Sequence, residues 1–348
     1  MNPKYRRLLI PGLLVALIVV VVVASLARDA SADEQAPSLV LSDPRITESS
    51  GLAISREHPN LAYTVNDSGG ESEVYAVDLV SGKTVGVTKV AAQFQDVEAL
   101  ALFDQKLWIA DVGDNAGRRL TTTLLQIAEP GRGNRSVSAK QFKIELQGGP
   151  ADVETLLIEP TSGTLQLVTK GICAGSVFAA KIGDLRTDRV TTFEQIADSA
   201  PGLVTDGAYS PDGSNVALLT YVSLVTVDPK TWQSVGSQAL PELSQPETVD
   251  FLTQTRLLVG SEGANSALKE VALAPTADTA ETVATVQAGT EPVESAKPTT
   301  PAKAVDTAET KESKSSLVGL WPLSIAVIAF GLIVFAARAL RPTRADND

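Results

Sequence analysis

The hydrophobic positions of the chain fall into three regimes. Between residues 38 and 275 they come in short runs, alternating or β-branched, broken repeatedly by Gly, Pro, Asn and Asp. No stretch there sustains the i, i+3, i+4 spacing of an amphipathic helix, so the pattern predicts an all-β domain of many short strands. Two continuous apolar stretches flank it, 8–27 (LLIPGLLVALIVVVVVASLA) and 317–337 (LVGLWPLSIAVIAFGLIVFAA), each long enough to cross a bilayer.

The short strands repeat. Segments opening on Ser50 (SGLAIS), Glu98 (EALALF), Glu154 (ETLLIE), Asp206 (DGAYSP) and Glu247 (ETVDFL) recur at intervals of roughly 40 to 55 residues. Each is followed by a second strand ending in LAYTVNDSGG, LWIADVGDN, LQLVTKG, VALLTY or LLVGSEG, and then by a third. Fourth strands (TVGVTKV, SAKQFKIEL, RVTTFEQI, SVGSQAL) complete four modules, and the fifth module has none. Four-stranded modules of this length are propeller blades. The segment SLVLSD, between Pro37 and Pro44, precedes the first opener and is placed to complete the fifth blade, removing the open edges of the array. The expectation is a five-bladed β-propeller over 33–275, closed by an N-terminal strand. The alternative of six blades requires another blade within the long 98–154 module.

The flanks change where this domain is expected to reside. Lys4, Arg6 and Arg7 precede the first apolar run, and Ala30-Ser31-Ala32 forms a small-residue cleavage motif, so 1–32 reads as a signal peptide, with an uncleaved anchor as the alternative. The second run is followed by Arg338, Arg341 and Arg344 and carries Trp321 near its other end, which predicts a single-pass transmembrane helix at 317–337 and a basic cytoplasmic tail at 338–348. Residues 276–316, rich in Ala, Thr, Pro and Glu, bury too little apolar surface to fold and read as a disordered stalk. The propeller would then stand on the extracytoplasmic side of the cell membrane.

Composition narrows the chemistry. The 348-residue chain has a net charge of −12 and no basic tract outside the membrane flanks, which argues against nucleic acid as a partner. Cys173 is the only cysteine and His58 the only histidine. An intrachain disulfide framework is excluded, and His-dependent triads and multi-histidine zinc sites are disfavoured.

In a propeller blade the first strand begins, and the second ends, at the same face. The openers Ser50, Glu98, Glu154, Asp206 and Glu247 therefore line the central channel, and four of them are carboxylates. Carboxylates so confined either take up protons or demand a cation, and a hard divalent ion such as calcium accepts six to eight oxygens. These five are the expected metal ligands, the alternative being a solvated funnel with no ion. Asp96 and Asp152, two residues before Glu98 and Glu154, share their strand face and offer further ligands. Around the hub, the second-strand ends contribute Asn66, Asp67, Asp111, Asp114, Asn115, Lys170, Tyr221 and Glu262 as ligand-binding candidates, with Arg118 and Arg119 in the next loop. Asn and Asp at such positions are also ordinary turn residues. Lys170 ends an otherwise apolar strand and, with the two arginines, suits an anionic group such as a phosphoester or carboxylate.

ESSGLAIS, NDSGGESEVYAVD, DVEALAL, ADVGDN followed by Arg118, and VTDGAYSPDG resemble the recurring phrases of a family of exported bacterial β-propeller proteins mostly without an assigned activity. More distantly, the order Ser, Glu, Glu, acid, Glu across the modules is similar to the calcium-dependent apyrases, five-bladed nucleotidases with a central calcium. That resemblance implies Ser50, Glu98, Glu154 and Glu247 as ligands, while Asp206 stands where the apyrase pattern has a serine. The apyrases' nucleotide-contacting residues are not recognisable here. Two functions follow: a surface module that binds an extracellular ligand or envelope component around a calcium-rigidified hub, or a calcium-dependent hydrolase of phosphate esters or nucleotides. For the hydrolase, Asp111 or Asp114 would be the base, and Lys170 or Arg118 would stabilise negative charge.

Overall fold

The computed structural model describes residues 38–67 and 70–274. The leader at 1–32, the 276–316 segment, the 317–337 apolar span and the 338–348 tail lie outside the described residues. Among the described residues, no helix is long and apolar enough to cross a membrane.

The strands follow the repeat. β1 (Ser38–Val40) precedes unit 1, which comprises β2 (Ser49–Ile54), β3 (Leu61–Asn66), β4 (Glu73–Asp78) and β5 (Thr84–Val90). Unit 2 comprises β6 (Val97–Phe103), β7 (Lys106–Asp111) and β8 (Thr122–Ala128), then a short β9 (Arg135–Val137) that leaves the unit, then β10 (Lys140–Leu146). Unit 3 contains β11 (Val153–Ile158), β12 (Thr164–Thr169), β13 (Ala174–Lys181) and the long β14 (Thr191–Pro201). Unit 4 contains β15 (Val204–Tyr209), β16 (Val216–Thr220), β17 (Ser223–Val227) and β18 (Ser234–Ala239). Unit 5 has three strands of its own, β19 (Pro246–Phe251), β20 (Arg256–Ser261) and β21 (Ala267–Ala272). One 3-10 turn, Ile182–Asp184, is the only helical element among the described residues.

The architecture is all-β and compatible with a propeller-like arrangement. Within each unit the strands pair antiparallel in sequence order. The fourth strand of unit 5 is β1, whose Leu39 pairs with Leu268 of β21. The extra length of the 98–154 module holds β9, which pairs in parallel with β5 of unit 1. A second parallel pairing, β10 with β14, fuses the outer edges of units 2 and 3 into one eight-stranded sheet. Both pairings cover edges that would otherwise present unpaired amides to other chains.

Each sheet is apolar on both faces, and its neighbours cover it. Trp108 of unit 2 stacks on Phe142 at 5.7 Å, within a cluster that continues into Leu156, Leu167 and Phe193 of unit 3. Equivalent clusters join units 1 and 2 around Tyr63 and Ile109, units 3 and 4 around Val168 and Trp232, and units 4 and 5 around Leu219 and Phe251. A fifth, containing Leu41, Ile46 and Leu268, joins unit 5 back to unit 1. The first strands close the same cycle, β2 against β6, β6 against β11, β11 against β15, β15 against β19 and β19 against β2. Gly51 permits the approach of β2 to β6. Its φ is +71°, and a Cβ there would lie 2.6 Å from the Leu100 amide nitrogen.

The antiparallel registers place the start of every first strand beside the end of every second strand. β21 runs away from that end and stops opposite Arg256, the start of β20, while β1 enters beside it. Both described chain ends therefore leave on the side opposite the first-strand starts.

The pairing of β1 can be tested by cross-linking. Directly opposed antiparallel residues have Cα atoms about 4.5 to 5.5 Å apart, within disulfide reach. Leu39→Cys with Leu268→Cys, in a Cys173→Ser background, is expected to oxidise to an intrachain bond and to melt at a lower temperature once reduced. A folded chain that does not cross-link would take β1 out of the sheet.

Candidate functional site

The site lies at the first-strand starts, where all five first strands share an irregularity. Each carries a β-bulge, and the residue left out of the pairing is Gly51, Glu98, Glu154, Thr205 and Glu247 in turn. A bulge inserts one unpaired residue and re-aims its side chain. Three of the five expected metal ligands occupy these positions. In unit 4 the register passes over Thr205, and Asp206 pairs with Leu219 one residue further on. A one-residue offset sends a strand side chain to the other side. Asp206 is buried, and its Oδ2 accepts the Val249 amide of β19 at 2.8 Å. Burial, with Asp250 and Glu247 adding charge, holds its carboxyl well above the ordinary value. In unit 1, Ser50 stays paired with Val65 and donates its hydroxyl to the Glu98 carbonyl at 3.0 Å.

The acids do not form one symmetric ring. Glu98 is brought together with Asp67 and Asp96, each offering a carboxylate oxygen within 4.8 Å of the others. Asp67 follows β3, and its carbonyl accepts the Val97 amide at 2.9 Å, which fastens the end of unit 1 to the start of unit 2. Asp96 lies two residues before Glu98 and points the same way. Gly113, in the loop after β7, completes the enclosure: a Cβ there would collide with Glu98 Oε1 and with the Asp96 carboxylate. Glu98 is 7% exposed, and among the described residues no hydrogen bond reaches its carboxylate.

The opposite side of the hub carries its own cation. Lys170 Nζ donates to Glu154 Oε2 at 2.9 Å and lies 5.2 Å from the Tyr221 ring centroid. Glu247 accepts the Gln245 amide at 3.0 Å, and the same amide contacts Glu262.

The pKa shifts divide the hub in the same way. Burial, the hydrogen bond to Asp67 and the charges of Asp67 and Asp152 push Asp96 up to about 7 against the pull of Arg119. Burial, then the charges of Glu154, Asp67 and Asp96, raise Glu98 well above the ordinary value. Burial raises Glu154 to about 8, opposed by Lys170 and aided by Asp152 and Glu247. Burial works against the charge of Lys170, but Glu154 and Glu247 outweigh it and hold the ammonium protonated far above the usual lysine range. Burial and the charge of Glu247 raise Tyr221 to about 12.

Several rim residues hold backbone in place. Asp111 accepts the amides of Gln95 and Asp96 at 3.0 and 3.2 Å and pairs with Arg119 at 2.7 Å. Asp114 accepts the amides of Arg118 and Arg119 at 2.8 and 2.7 Å, while its own amide donates to Asp152 Oδ1 at 2.9 Å. The Arg119 guanidinium also donates to the Gly113 carbonyl at 2.7 Å, fixing the glycine loop over Glu98. Asn66 accepts the amides of Thr47 and Glu48 and donates to the Arg45 carbonyl. Asn115 and Arg118 are exposed at the periphery. Thr205, Gly113 and the clamping role of Arg119 were not read from the sequence. Their signals are weak, since a Thr beside a more conspicuous Asp and a Gly within GDN both pass for ordinary strand and turn residues.

Two outcomes follow. A carboxylate whose pKa rises on folding stabilises the fold below its unfolded pKa, near 4, and loses that contribution as pH climbs through the folded value. In chelator, the chain is expected to melt at a progressively lower temperature from pH 5 to pH 8.5, as Asp96 and then Glu154 are forced to ionise; a melting temperature rising across that range would contradict the assignment. Arg119→Met leaves Asp111 buried and unpaired and is expected to cost about 3 kcal/mol in urea unfolding.

No family model and no curated protein sequence matches the chain. Among solved structures, hydrazine synthase of Kuenenia stuttgartiensis aligns at 15% identity over 62% of this chain and 56% of that one, with a TM-score of 0.38. The chain thus spans a little over half the length of that protein, and a likeness of this extent carries no argument about the site.

Proposed function

We propose that residues 33–275 form a five-bladed β-propeller closed by its N-terminal strand. In this reading the 317–337 span tethers it to the cell membrane, and its hub end binds a divalent cation, calcium by preference, as the floor of a ligand- or partner-binding face. The cyclic order of the five first strands and the pairing of β1 with β21 support the blade count. Both described chain ends leave opposite the hub, so a tether attached there would direct the hub end toward a ligand or envelope component.

The observation that carries the cation reading is the carboxylate of Glu98, buried, with no hydrogen-bond donor among the described residues, and flanked by oxygens of Asp67 and Asp96. Oxygen ligands at calcium's preferred distance, about 2.4 Å, lie at most about 4.8 Å from each other, and the three carboxylates fall within that limit. An all-carboxylate donor set suits a hard cation, with water completing its shell. Thr205 brings a hydroxyl to the bulge of unit 4, where the apyrase pattern has a serine, which supports that resemblance at one position.

Binding is favoured over hydrolysis because Asp111 and Asp114, the candidate bases, are occupied by backbone amides, and Lys170 by Glu154. Calcium at about 10 mM is expected to raise the melting temperature of the chain by several degrees, through about 1.4 to 2.7 kcal/mol at ten- to a hundredfold excess over Kd. Asp96→Asn with Glu98→Gln is expected to abolish that rise. A wild-type chain indifferent to calcium would refute the site, and calcium-dependent turnover of nucleotides or phosphoesters lost in Lys170→Ala would favour the hydrolase.

A further inference from the structure

The hub holds more acid than one cation needs, and one positive charge already offsets part of it from within. Glu154 and Glu247 both face Lys170, which reaches Glu154 Oε2 at 2.9 Å from the end of β12 and is itself mostly enclosed. The same ammonium acts on Glu98, one of the three carboxylates assigned to the cation. Arg119 is the second cation near that cluster; its charge reaches Asp96, but its guanidinium is tied to Asp111 and Gly113. Lys170 is thus the positive charge built into the hub itself, and a divalent ion beside Glu98 must bind against it.

We infer that Lys170 is a tethered competitor of the hub cation and sets its affinity in the weak range. The inference rests on the cation reading above. Calcium affinity follows the charge count and rigidity of the ligand set, and extracellular modules work near 10⁻⁴ to 10⁻³ M, on the order of the free calcium outside cells. Three carboxylates opposed by a lysine of fixed charge place the hub in that class. The lysine performs two tasks: it offsets the repulsion among Glu154, Glu247 and Glu98, pairing directly with Glu154, and it prevents the hub from filling where calcium is scarce. Filling, and the stiffening of the hub that accompanies it, is then confined to the extracytoplasmic side.

The test is calorimetric titration of the full-length chain in mild detergent with calcium chloride. The wild-type chain is expected to bind with a Kd of about 10⁻⁴ to 10⁻³ M. Lys170→Met and Lys170→Gln, which remove the charge at similar volume, are expected to bind on the order of tenfold more tightly. The glutamine variant keeps a hydrogen-bond donor toward Glu154 and so guards against loss of the fold. Lys170→Arg, which keeps the charge, is expected to restore weak binding. Unchanged or weaker affinity in both neutral variants, with circular dichroism spectra matching the wild type, would overturn the inference and leave the cation site standing. Absence of calcium uptake by the wild-type chain up to about 10 mM would defeat the cation reading and this inference together.

Discussion

Every four-stranded sheet in this protein is apolar on both faces, and no sheet can cover itself. That constraint organises the rest. Five clusters, each shared by two neighbouring units, meet it only if the last unit also covers the first, as Leu258 and Leu268 do in one cluster with Leu52, Ile54 and Ala62. Closure draws five first strands to a common centre, where Gly51 sits against the backbone of β6. It also constrains what those strands carry at their starts, because the residues at the five bulges are brought together, four of them buried, whether or not the charges are compatible.

Here the charges are not compatible, and the hub resolves the conflict by two routes. On one side Lys170 supplies an ammonium to Glu154 and Glu247. On the other, Glu98 lies beside Asp67 and Asp96, and burial with the neighbouring negative charge holds Asp96 and Glu98 above the usual carboxylate range. The surrounding loops keep both arrangements in register. Arg119 holds Asp111 and the Gly113 carbonyl, Asp111 holds the amide of Asp96, and Asp114 links the loop to Asp152 of unit 3. Asp111 and Asp114 of the rim are therefore scaffold.

Much of this was legible in the sequence, for physical reasons. Alternating runs spaced by turn residues specify strands whatever their neighbours, and the missing fourth strand of the last repeat pointed directly to SLVLSD at residues 38–43. Glu98, Glu154 and Glu247 stood out because a carboxylate at a repeated position is conspicuous, and each occupies an unpaired bulge position. Asp206 was assigned the same place because its charge outweighed that of Thr205, but register is decided by hydrogen bonds, and those passed over the threonine. Asp67 was read as rim because nothing local reveals that the end of unit 1 is fastened to Val97. Asp111 and Asp114 were candidate bases as well as turn residues; the turn role prevails because Asp111 holds the amides of Gln95 and Asp96 and the guanidinium of Arg119, and Asp114 holds the amides of Arg118 and Arg119.

The account rests on an ion seated between Asp67, Asp96 and Glu98, and diffraction can place it. In crystals grown with calcium chloride and measured at a wavelength that excites calcium's anomalous scattering, one peak is expected at about 2.3 to 2.6 Å from oxygens of these three residues, with Lys170 still bonded to Glu154. Absence of a peak there, or a peak between Glu154 and Glu247 with the lysine displaced, would contradict it.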